Sequence, residues 1–82
     1  MVVIHRAFGF RFVIYTLDPE PAHIPITGSG QEKINLLGPD GSPEVVFSAG
    51  VGRADMRRLL AEVTAHRDEF LQDWERIHGK RV

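Results

Sequence analysis

His23 is the residue whose neighbours best equip it for chemistry, in the run Asp18-Pro19-Glu20-Pro21-Ala22-His23-Ile24-Pro25-Ile26. Proline fixes φ and pushes the preceding residue toward extended geometry, so this segment presents an imidazole on a stiff backbone. An imidazole moves protons near neutral pH, and a cation beside it stabilises charge developing on phosphorus. Strand alternation suggests where such cations lie. Over 10–16, Phe10, Phe12 and Ile14 share one face and Arg11, Val13 and Tyr15 the other. Over 22–27, Ile24 and Ile26 oppose His23 and Pro25; over 31–37, Ile34 and Leu36 oppose Gln31, Lys33 and Asn35. If the apolar sets lie under a helix, the open face gathers Arg11, Tyr15, His23, Lys33 and Asn35. As a metal-independent nuclease or phosphate-binding surface, that face would use His23 as general acid or base. Arg11 and Lys33 would then hold phosphate, and Tyr15 would orient the substrate. The plain alternative is a wet sheet face, which every small sheet has, and no reaction is named by these residues alone.

The remaining candidates are weaker. Glu62 and His66 stand four apart on an expected helix, a spacing that can hold a metal. No third ligand is spaced nearby, so the expectation is a core or interface histidine paired with Glu62, with no metal and no cofactor. His5 and His78 stand alone near the ends and receive no role. Ala49-Gly50-Val51-Gly52-Arg53 opens a helix but lacks the lysine and hydroxyl of a phosphate loop. Arg53, Arg57 and Arg58 sit where the helix dipole disfavours cations, a cost most simply met by pairing with Asp55 and Glu62. Phe70, Leu71, Trp74 and Ile77 make a bulky apolar patch late in the helix, either core or a protein–protein surface. No serine–histidine–acid set and no dinucleotide fingerprint occurs.

The elements that must position these residues change character near Gly50-Val51-Gly52. Strands are expected at 2–6, 10–16, 22–27, 31–37 and 44–48, with turns at 7–9, 28–30 and 38–43 rich in glycine and proline. Short links between successive strands imply an antiparallel meander. From Arg53 onward Met56, Val63, Phe70 and Ile77 recur every seven residues with Leu59, Leu60 and Trp74 between, the pattern of an amphipathic helix. Unbroken to about residue 78 it would span roughly 39 Å at 1.5 Å per residue, more than a small sheet covers. Either the helix breaks within 64–68 or its second half meets a partner. Gly79 suits its C-terminal end, with Lys80 and Arg81 favourable at the negative end of the dipole. The predicted fold is α+β: a small, mostly antiparallel meander of four to five strands packed under a long C-terminal helix, continuous or broken. It forms one domain over 1–82, with sheet over 1–52 and helix over 53–79.

Composition narrows the classes of function. At 82 residues without cysteine, neither a disulfide nor a thiolate metal site can add stability, and a dimer is one remaining way to bury more surface. A net charge of −1 gives no overall attraction to nucleic acid or membrane. No apolar run approaches the roughly 20 residues of a membrane span, and the first residues do not read as a signal peptide, so a cytoplasmic location is expected.

Several of these pieces together resemble a known family, domain of unknown function 4160. They are Gly9-Phe10-Arg11-Phe12 with Tyr15, Glu20-Pro21-Ala22-His23-Ile24, Lys33-Ile34 with Leu37, and His66-Arg67-Asp68-Glu69-Phe70-Leu71-Gln72-Asp73-Trp74. Family members read proline-proline-histidine-aliphatic-histidine where this chain has Ala22 and Pro25. A role needing both histidines is therefore not expected here. The resemblance implies a small bacterial protein of toxin–antitoxin-type gene pairs, since members often lie beside another small protein. It implies a cognate small-protein partner or self-association, and an RNA or DNA target.

Overall fold

The computed structural model describes residues 1–79; the expectation placed on Lys80 and Arg81 lies outside them. Five strands, β1 (Val2–Ala7), β2 (Phe10–Ile14), β3 (His23–Thr27), β4 (Gln31–Asn35) and β5 (Glu44–Ala49), precede two helices, α1 (Arg53–Ala65) and α2 (Arg67–His78). The strands lie in the sheet in chain order, every neighbouring pair antiparallel, as the short links require. The α+β meander is as the sequence predicts.

Turn chemistry sets the register. Ala7 pairs with Phe10, so Phe8 and Gly9 alone form the first hairpin loop. Both have positive φ, 57° and 78°, as a type I′ turn demands. Glycine meets this freely, whereas Phe8 is a bulky residue in left-handed geometry. Thr27 pairs with Gln31 across the Gly28–Gly30 loop, where a Cβ at Gly30 would run into the backbone carbonyl of Gly50. β2 ends two residues early, because a backbone bond from Asp18 N–H to the Tyr15 carbonyl (3.2 Å) turns the chain ahead of Pro19. Between β2 and β3 the pairing is limited to Arg11↔Thr27 and Phe12↔Ile26, and the next residue of β3 is Pro25, which has no N–H to continue the ladder.

The helix breaks at His66 (φ −108°, ψ 17°), inside the expected window. Near the break the Thr64 hydroxyl donates back to the Leu60 carbonyl at 2.8 Å, a bond that competes with helix continuation. α1 contributes buried Leu59 and Val63, and α2 contributes Phe70 and Trp74. These join Phe10, Phe12, Ile14, Ile24, Ile26, Ile34 and Leu36 in one core. Phe70 and Trp74 are each 2% exposed, with Leu71 and Ile77 packed half-buried beside them. Of the two readings the sequence offers for the late-helix patch, core or protein–protein surface, Phe70 and Trp74 take the first, because the break folds the second helix back over the sheet.

Candidate functional site

His23 is not on the open face with Arg11, Tyr15 and Lys33. Its ring lies 5.1 Å from that of Trp74, and the residue is 7% exposed. Nδ1 lies 2.9 Å from the Pro21 carbonyl and Nε2 lies 3.0 Å from Asp18 Oδ2, each within hydrogen-bond distance. The loop between β2 and β3, with a cis Glu20–Pro21 bond, folds over the sheet end and meets α2. There Trp74 Nε1 donates to Glu20 Oε2 (3.2 Å), and His78 Nε2 donates to the Asp18 carbonyl (3.1 Å) while its ring stacks on Trp74. Both nitrogens of His23 are taken up, so neither is presented to a substrate. Held between the loop backbone, Asp18 and Trp74, the ring is placed to pin the loop against α2. His78, given no role from sequence, belongs to the same clasp.

The other four expected binding residues separate. Asn35 pairs with His23 at the strand end, half-buried. Arg11 lines a shallow hollow with Arg6, Gly9 and Gly28. Tyr15 and Lys33 do meet, in an open cleft of about 590 Å³ whose rim also includes Asp18, Thr27, Gln31, Val46 and Phe47. A register shift between Lys33 and Ile34 leaves Val46 without a partner on β4, and it joins Phe47 on this one cleft. Tyr15, Val46 and Phe47 are exposed by 39%, 46% and 51%. Sequence reading missed Val46 and Phe47 because strict alternation puts neighbours on opposite faces, and only the bulge overrides that. It also missed Asp18, whose carboxylate connects buried His23 to the cleft rim.

On the helix side, Glu62 and His66 do have a third companion. His5 Nε2 lies 2.6 Å from Glu62 Oε2, and His66 Nε2 lies 3.4 Å from the same oxygen. The expectation that no third ligand lies near is corrected: β1 carries His5 to the helix break from 57 residues away, a distance sequence spacing does not reveal. The other nitrogen of His66, Nδ1, donates to Glu69 Oε1 at 2.5 Å. That bond to Glu69, more than any other effect, raises the His66 pKa above the ordinary imidazole value; partial desolvation opposes it, and Glu62 adds to it. Among the arginines, Arg58 pairs with Asp55 as expected, but Glu62 is committed to the histidines.

Glu32 is a further polar residue in an apolar setting. It lies in the cross-strand row Phe12, Ile26, Glu32, Ser48 and is 2% exposed. Neither carboxylate oxygen has a hydrogen bond of normal geometry. Burial raises its pKa above the usual carboxylate value, and the Ser48 hydroxyl across the ladder offsets part of that.

Among the described residues no helix is long and apolar enough to cross a membrane. The family described as Domain of unknown function (DUF4160) has a sequence profile that matches residues 9–75. That span contains the Tyr15–Lys33–Phe47 cleft and Asp18, His23 and Trp74 of the loop clasp; it does not reach His5 or His78. No curated protein and no solved structure matches the chain.

Proposed function

The chain belongs to the DUF4160 family, and we propose that this member is a small bacterial, cytoplasmic interaction module of toxin–antitoxin type. It would dock a cognate small protein on the open sheet face and the β5 edge. The observation that carries this reading is the joining of Tyr15, Val46 and Phe47, all exposed, along a cleft beside an edge strand. An edge strand presents unpaired backbone N–H and C=O groups, and natural sheets normally blunt such edges with charge, proline or a cover. β5 carries Val-Val-Phe at its centre, with Glu44 at its start and the bulge at Val46 as its breaks in the edge. The occupant that fits is an extended segment of a partner protein, added as a sixth strand. Its apolar side chains would sit against Phe47, and an acidic residue would meet exposed Lys33. The family resemblance points the same way through the habit of lying beside a second small gene.

Co-expression with the product of the neighbouring gene tests this. A complex that survives size-exclusion chromatography and is abolished by Phe47→Lys, with the fold of the variant intact by circular dichroism, supports the reading. No complex, or one that Phe47→Lys leaves unchanged, refutes it. A second reading, single-stranded nucleic acid stacked on Tyr15 and Phe47 with its backbone on Lys33, is favoured by the same juxtaposition of aromatic and cation. It requires salt-sensitive binding of a labelled oligonucleotide that Lys33→Gln weakens. In neither reading is His23 a catalyst.

A further inference from the structure

We propose that His5, Glu62 and His66 form a binding site for one divalent transition-metal ion of the zinc class, with Glu69 orienting the His66 ring. One ligand atom from each residue lies within 4.8 Å of the others. Zinc bonds to nitrogen and carboxylate oxygen of about 2.0–2.2 Å at tetrahedral angles put neighbouring donors about 3.3–3.5 Å apart. The separation of His66 Nε2 from Glu62 Oε2, 3.4 Å, already has that value. His5 Nε2 stands closer to the same oxygen, at 2.6 Å, in a hydrogen bond that a sub-ångström side-chain shift would open to ligand spacing.

The surroundings match a ligating histidine. His66 directs Nε2 toward Glu62 and gives Nδ1 to a second carboxylate, Glu69, at 2.5 Å. A carboxylate on the far nitrogen fixes the tautomer and leaves the near lone pair for the metal, the usual outer partner of a metal-bound imidazole. The rings are also held by aromatic neighbours. His5 lies 5.1 Å from Phe12 and 5.5 Å from Phe70, and His66 stacks on Phe70 at 5.6 Å. Side-chain exposures of 25%, 23% and 34% leave the group open to an entering ion and to a water as fourth ligand. Two imidazoles and one carboxylate suit zinc, cobalt or nickel better than magnesium or calcium, which prefer all-oxygen sets. The ion would staple edge strand β1 to the junction of α1 and α2, a link that a chain without cysteine cannot make by disulfide.

The test uses tag-free, chelator-treated protein titrated with zinc chloride alone at pH 7.5 by calorimetry, with thermal melts in parallel. One ion per chain is expected, with a melting temperature that rises as zinc exceeds the dissociation constant. Glu62→Gln and His5→Asn should each weaken binding by at least about tenfold, and Glu69→Gln by about 10–100-fold, the usual effect of losing an outer partner. His78→Asn, outside the cluster, should bind as the parent does. Cobalt chloride should give a visible absorption band that Glu62→Gln removes, and magnesium chloride should give no saturable heat. Should His5→Asn fail to fold, Glu62→Gln decides, because its amide still accepts from His5. Absence of saturable zinc binding up to about 100 μM, full binding by Glu62→Gln, or equal loss in His78→Asn overturns the proposal.

Discussion

Replacing Glu32 with glutamine should stabilise the protein at neutral pH, and the gain should depend on pH. The carboxyl is 2% exposed and lacks a well-formed hydrogen bond. Its folded-state pKa is raised by burial, so the linkage has one sign: the stability tied to this group is fully present below the unfolded value of 4.5 and is lost as pH rises toward the folded value. Keeping the proton on such a group up to pH 7 costs at most about 3 kcal/mol, at roughly 1.4 kcal/mol per pH unit. A glutamine of the same shape carries no such penalty, though its amide leaves polar groups unmet at about 1 kcal/mol. The net advantage of Glu32→Gln at pH 7 therefore has a ceiling of about 2 kcal/mol, a rise in melting temperature of no more than roughly 8–16 °C for a domain of this size. At pH 4, where the carboxyl is largely protonated in both folded and unfolded chains, the advantage should be lost, leaving the variant up to about 1 kcal/mol less stable than the parent. Urea or thermal unfolding of both proteins at intervals from pH 4 to 8 measures the difference. A variant no more stable than the parent at pH 7, or an advantage that does not change with pH, would refute the reasoning and imply that the carboxylate is well solvated or paired.

Two further substitutions probe the loop geometry. Phe8→Asn places a residue that tolerates left-handed backbone at a position with φ of 57°, ahead of Gly9, and should raise stability by about 1 kcal/mol in urea unfolding; the exposed phenyl ring gives up little packing. His23→Ala removes the hydrogen bonds of the ring with Asp18 and Pro21 and its packing against Trp74, and should lower stability by about 1–3 kcal/mol while increasing proteolysis within 15–22.

Much of the fold was legible because local rules and tertiary packing agree. Alternation in 10–16 and 31–37 identified Phe10, Phe12, Ile14, Ile34 and Leu36 as inward, and short glycine-bearing links made the meander the natural topology. The break at His66 is one of the two outcomes that length allows, since one straight helix would overshoot a small sheet unless its second half met a partner. The same period-2 parity also puts Glu32 on the face of Ile34 and Leu36, a legible conflict that a polar side chain tends to hide. The site was less legible. His23 alternates onto the open face on paper, but it is the first residue of β3, where the preceding loop bends toward α2 and Trp74 draws the ring inward. His5 looked solitary because its companions lie at the other end of the chain. Phe47 and Val46 share a cleft through a bulge that no residue of β5 announces. In each case the missing information is non-local: which loop folds back, which strand edge meets which helix turn, where a ladder slips.

The early end of the β2–β3 ladder has a thermodynamic consequence. With two residue pairs joining them, β1–β2 and β3–β4–β5 are two leaves whose cohesion rests on interlocked side chains, Phe12 and Ile14 against Ile24 and Ile26, more than on backbone bonds. Apolar cohesion of that kind weakens on cooling, whereas a continuous ladder would hold. The amides along this seam should therefore lose protection against solvent exchange ahead of those within either leaf as temperature falls, and the molecule should begin to part there, along a line drawn by one proline.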